Sequence, residues 1–144
     1  MKLENSSILY AIQNKVTRPG VASELCRAKW TSMKFNKSGK QILVTTESGL
    51  VIMVDGYDGK VTNVFLSEGA NGAPGTQPAA ACFTSDDQTV LCGNEDGTIS
   101  CWDVATGSLV KKLKGHVGHV ACIASNPKYA QIASSCTNTA LWLW

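Results

Sequence analysis

The nine residues Glu95-Asp-Gly-Thr-Ile-Ser-Cys-Trp-Asp103 return in weaker form along the chain, and this recurrence constrains the fold more than any other feature. Residues 35–65 laid on 83–113 put Phe35 on Phe83, Leu43 on Leu91, Glu47 on Glu95, Gly49 on Gly97, Asp55 on Asp103 and Gly59 on Gly107. A further copy puts Ser134, Asn138 and Trp144 on Cys92, Asp96 and Trp102. Self-similarity at a period of about 40–50 residues marks units that cannot bury their apolar faces alone and do so by stacking on their neighbours. Such an array offers binding surfaces rather than a single catalytic pocket.

Within each unit, short apolar runs alternate with turns. The first unit has runs at 30–35, 41–45, 50–55 and 61–65. The second has runs at 79–84, 89–92, 98–103 and 108–113, and the third has them at 120–125, 131–135 and 140–144, with no fourth. Most connectors are 3–5 residues long and carry glycine, which predicts antiparallel hairpins in sequence order. No stretch combines helical periodicity with capping residues, so the chain reads as all-β. Five segments follow. Residues 1–29 are a remnant of a preceding unit, with an outer strand at 8–12, plus a loop containing Pro19-Gly20. Residues 30–65 form a degenerate unit, 66–78 a Gly/Ala/Pro-rich loop, 79–114 a well-kept unit, and 115–144 a last unit lacking its outer strand.

A net charge of +2 is too small to argue for nucleic acid or an anionic membrane, and neither is expected as a direct partner. The Met1-Lys-Leu-Glu-Asn5 start lacks the apolar core of a signal peptide, and no run approaches the ~18 apolar residues of a membrane span. The six cysteines include no Cys-x-x-Cys pair, and neither His116 nor His119 stands at metal-ligand spacing from a second pair, so no metal is expected. Cys82, Cys92, Cys101 and Cys122 fall in predicted strands, where thiols serve as small buried hydrophobes. A reducing compartment fits that use.

Gly115-His116, the strand residue Ser134, Asp96-Gly97 and Trp102-Asp103 resemble the marks of the WD-repeat family, over roughly residues 30–144. The resemblance implies an incomplete β-propeller of about three four-stranded antiparallel blades. Complete propellers have roughly 4–8 blades, so the chain is expected to be the C-terminal part of a longer protein or the product of a truncated gene. Its open last blade should make it aggregate or require a partner. The family also implies a relay inside each blade that joins Trp, Ser or Thr, His and Asp. The residue types suit it: indole only donates, hydroxyl and neutral imidazole do both, and carboxylate only accepts. His116, Ser134, Asn138 and Trp144 fill it in the last blade, with Asn138 in place of the acid. Asp96 and Trp102 remain in the middle blade, where Cys92 replaces the hydroxyl, and Val44, Ser48 and Val54 replace the set in the first.

Nothing points to catalysis or a cofactor. Phosphate-binding glycine loops and nucleophile elbows are absent, and the paired carboxylates Asp86-Asp87 and Glu95-Asp96 fall in turns. His116 reads as structural and His119 as a loop-surface residue. Within the family, Trp30 through Leu43, Glu95-Asp-Gly97, Asn126-Pro-Lys128 and Ser135 through Leu143 are similar to the C-terminal third of one subunit. That subunit is shared by the COMPASS-type histone methyltransferase and by the complexes of mRNA 3′-end formation and transcription termination. The implied role is a non-catalytic nuclear adaptor whose partners are a SET-domain methyltransferase complex and the phosphorylated tail of RNA polymerase II. The alternative is a scaffold elsewhere, such as a ubiquitin-ligase substrate receptor or a coat subunit.

Overall fold

The computed structural model describes Tyr10, residues 27–67 and residues 80–143. The strand expected at 8–12 lies outside these residues except for Tyr10, whose backbone is helical. Eleven strands follow: β1 (Trp30–Phe35), β2 (Gln41–Thr46), β3 (Leu50–Asp55), β4 (Val61–Leu66), β5 (Ala81–Phe83), β6 (Thr89–Gly93), β7 (Thr98–Asp103), β8 (Leu109–Lys114), β9 (Cys122–Ser125), β10 (Gln131–Ser135) and β11 (Thr139–Leu143). They form three antiparallel sheets in which neighbours in sequence are neighbours in space. These are β1 to β4, β5 to β8, and the three-stranded β9 to β11.

The hairpins follow from the turn residues. Gly49 and Gly97, one repeat apart, have φ of 80° and 83°, a region that glycine enters without steric cost. The repeat extends to an irregularity. The pairing of β3 with β4 slips between Met53 and Val54, and that of β7 with β8 slips between Cys101 and Trp102, at the same place in the unit.

Strands β5 to β7 of the middle sheet are buried on both faces because successive residues point alternately to two neighbours, whereas the outer strand β8 is exposed. Val90 and Cys92 join Leu43, Val51, Met53 and Phe65 of the first sheet, with Trp102 against them. Leu91, Ile99 and Cys101 join Ile123 and Ile132 of the third and Val120 just before it, with Trp142 against them. These two layers hold the blades together. The far face of the third sheet is uncovered, and Leu141 and Leu143 are 67% and 81% exposed. Cys122 lies on this face and is exposed rather than buried as a strand thiol was expected to be. The reason is that no sheet among the described residues packs there.

Candidate functional site

The polar device of the last blade is assembled from the loop before β9, from β10 and from β11. His116, 8% exposed, places Nε2 at 2.7 Å from the hydroxyl of Ser134, itself 2% exposed. The Trp142 indole Nε1–H donates to that same hydroxyl oxygen at 2.7 Å. Indole can only donate, and with the acceptor Asn138 Oδ1 beside Nδ1 the imidazole fits with its proton on Nδ1 and with Nε2 accepting from the Ser134 hydroxyl. That Nδ1–H faces Asn138 Oδ1 at 3.1 Å and Cys136 Sγ at 3.2 Å. Gly115 is needed beside it, since a Cβ at that position would run into the Trp142 ring.

The indole that meets Ser134 is that of Trp142, while Trp144, the expected member, lies outside the described residues. The cause is hairpin length. In the middle blade Gly93 pairs with Ile99, whereas in the last blade Ser135 already pairs with Thr139, so the turn is two residues shorter. Cys136 was also missed as a member. A cysteine in a turn carries no signal until the histidine is placed beside it.

In the middle blade Asp96 and Trp102 do not share a relay. Asp96 Oδ1 accepts from the Thr98 amide at 2.9 Å and from its hydroxyl at 2.7 Å, and the Thr98 hydroxyl first, with its amide, lowers the Asp96 pKa. The buried Trp102 Nε1 has no hydrogen-bond partner. Its ring instead packs on Phe65 at a centroid distance of 5.7 Å. A different network fills the interior here. Ser67 Oγ reaches Gly93 O at 2.8 Å and Asn94 Oδ1 at 3.1 Å, while Asn94 Nδ2 donates to Thr98 and Ser100 at 2.8 and 2.9 Å. In the first blade Val44 and Val54 are buried, and Ser48 bonds to the Thr46 hydroxyl at 3.1 Å.

The other candidate residues are turn residues or packing residues. Asp86 Oδ1 accepts from the Thr84 hydroxyl and the Gln88 amide. Asp87 binds the Lys37 and Ser38 amides of the first blade at 2.7 and 2.8 Å. Burial raises the Cys82 and Cys101 thiols to about 11 and Cys92 further, so they stay protonated. Cys26 lies outside the described residues. Among those described, no cluster of His, Cys, Asp and Glu could hold a metal. His119 is half-buried rather than at the surface, with a buried, unpartnered Nδ1.

The first strands of the three sheets, β1, β5 and β9, are bridged by one side chain. Lys34 of β1 donates its ammonium to Ala81 O at 3.3 Å and Ile123 O at 3.4 Å, joining all three sheets. Beside it opens a cleft of about 330 Å³ lined by Lys34, Phe35, Lys37, Phe83, Ser85 and Pro127 among others. Phe35 is 65% exposed at its edge.

The family profile "WD domain, G-beta repeat" matches residues 76–103 and 107–144. The chain carries WD repeats. It is 36% identical over 141 residues to WD repeat-containing protein 82 of Drosophila melanogaster, covering 94% of this chain and 43% of that protein. It is 29% identical over 119 residues to COMPASS component SWD2 of Saccharomyces cerevisiae, covering 75% of this chain and 36% of the yeast protein. The chain thus spans less than half the length of these relatives. The crystal structure of the RRP9 WD40 repeats superposes with a TM-score of 0.68 over 81% of this chain and 36% of that one, at 16% identity. That likeness identifies the three sheets as blades of a WD-repeat propeller. The ring is not closed among the described residues.

Proposed function

We propose that this WD-repeat chain is a non-catalytic scaffold subunit of a nuclear histone-methyltransferase complex acting in transcription and mRNA 3′-end processing. The observation that carries the reading is the similarity to WD repeat-containing protein 82 along 94% of this chain, supported by that to COMPASS component SWD2. The side chains agree with a scaffold. His116, Asp86, Asp87 and Asp96 are each engaged by neighbours in turns or in the relay. The partners are a SET-domain methyltransferase complex and the phosphorylated tail of RNA polymerase II. The cleft beside Lys34, with Lys37 and Phe35 at its mouth, is the surface on which we place one of them.

The test is purification of the tagged chain from nuclear extract, followed by an assay for histone methylation in the eluate. Methyltransferase activity should co-purify with the wild-type chain and fall severalfold with the double variant Phe35→Ser/Lys37→Glu. An eluate without that activity overturns the assignment.

A further inference from the structure

The cleft beside Lys34 carries positive charge that nothing within it answers. Lys34 and Lys37 both line it, and no acidic residue does. Neither lysine stands within ion-pair distance of a carboxylate among the described residues. An ammonium group has three N–H donors. Lys34 directs two of them to Ala81 O and Ile123 O, which leaves one for a group outside the chain. Asp87, the acid that touches the Lys37 turn, is occupied elsewhere. It is the one non-glycine among the described residues with a positive φ, at 60°, a backbone region that disfavours side chains. The strain is offset because both of its carboxylate oxygens accept hydrogen bonds, from the Lys37 and Ser38 amides at 2.7 and 2.8 Å. Asp87 of the second blade thus fixes the turn of the first that carries Lys37, while its charge is directed to amides. Beside these cations the cleft is apolar, with Phe35 65% exposed and Phe83 and Pro127 among the lining residues. An exposed aromatic on a pre-organised turn is the kind of anchor on which protein interfaces concentrate their affinity.

We propose that this cleft receives an acidic segment of a protein partner. A carboxylate side chain meets Lys34 and Lys37, and an apolar side chain next to it covers Phe35. The inference deepens the scaffold reading and rests on its placement of a partner in this cleft. Of the two partners, it assigns the methyltransferase complex to the cleft and not the phosphorylated polymerase tail. The donor set decides between them. A phosphate dianion calls for several charge-assisted donors, most often the planar fork of arginine. No arginine lines the cleft, and Lys34 has a single N–H to give. The carbonyl oxygens of Ala81 and Ile123 that hold this ammonium further disfavour a second negative charge beside it.

The experiment is carbodiimide coupling of the full 144-residue chain to an end-blocked peptide probe. The probe holds one glutamate followed by leucine in a glycine-serine background. Carbodiimide activates the glutamate carboxyl, a lysine amine displaces it as the urea, and an amide remains that mass spectrometry assigns to one lysine. Lys37 should couple about fivefold more than the exposed Lys40 and Lys128, in keeping with one ion pair plus an apolar contact. Phe35→Ser leaves both charges in place and should remove most of that preference, with circular dichroism checking that the blade persists. Glycine in place of the probe's leucine should do the same on the unaltered chain. Even coupling over all lysines, or a preference that survives both changes, overturns the docking site. A phosphoserine peptide without glutamate that suppresses the coupling at severalfold lower concentration than the uncoupled glutamate probe overturns the carboxylate. Selective coupling at Lys37 in a chain that brings down no methyltransferase activity leaves the cleft standing and removes the nuclear assignment. Co-purifying activity with even coupling has the reverse meaning.

Discussion

Ser134 holds two polar groups at once, since it accepts from the Trp142 indole and donates to His116 Nε2. Removing its oxygen leaves both without a partner in a nearly dry interior. Each orphaned group costs ~1–3 kcal/mol, so Ser134→Ala should lower stability by about 2–3 kcal/mol because Trp142 is only half-buried. Urea unfolding read by tryptophan fluorescence measures this, and a loss under 1 kcal/mol would mean that water replaces the hydroxyl. The middle blade poses the reverse case. Cys92 and Trp102 occupy the register positions of Ser134 and Trp142, yet the Trp102 Nε1 has no partner. Sulfur is a weak acceptor. Cys92→Ser should supply the missing acceptor and stabilise the chain by about 1 kcal/mol, visible as a higher melting temperature. A lower one would show that burying the new hydroxyl outweighs the indole bond.

At the scale of the strand and turn, the blades are joined by backbone as much as by side chains. Gly97 lies in the Asp-Gly turn of the middle blade at φ 83°, and a Cβ there would collide with the carbonyl of His116 in the next blade. Gly97→Ala therefore meets both an unfavourable backbone region and a steric clash. The expected loss is about 3 kcal/mol, with the third sheet released first. Hydrogen exchange should show β9 to β11 losing protection before β1 to β4, and uniform loss would contradict a local wedge. Most of this architecture was legible beforehand. The apolar runs ended at turns, most of them Gly-bearing, and the observed strands begin and end within about two residues of those runs. The relay was legible in part. Gly115-His116 and Ser134 were readable because they precede the turn between β10 and β11. Trp142 was not, because a fixed repeat spacing cannot register a turn shortened by two residues. The partnership of Cys136 with His116 was invisible for a related reason, as it joins a loop to a turn on another strand. The exposure of Cys122 depends on which sheet covers the third blade, and strand pattern carries no such information.

For the whole molecule, the stacked sheets form a nearly one-dimensional array in which each blade contacts its neighbours, and Lys34 adds one link common to all three. Its stability against pH should be a plateau with two differently built limbs. On the acid side, the hydrogen bonds of Thr84 to Asp86, Thr98 to Asp96 and Thr106 to Asp103 hold these carboxyls below their ordinary 3.8. A depressed folded pKa gives stability that is present above the unfolded value and lost as pH falls through the folded one. These turns should therefore hold above about pH 4 and loosen below it. On the alkaline side the sign reverses. Burial raises Cys82 and Cys101 from 9.0 to about 11, so the unfolded chain releases those protons first. Their contribution is complete below pH 9 and drains away between 9 and 11. Melting temperatures from pH 2 to 11 should trace both limbs. Because the alkaline limb belongs to buried thiols, Cys82→Ala should make it shallower, with Cys92 and Cys101 supplying the remainder, while leaving the acid limb in place. If that substitution lowers stability equally at every pH, the alkaline loss comes from other groups, and the thiols of the two interblade layers act through packing alone.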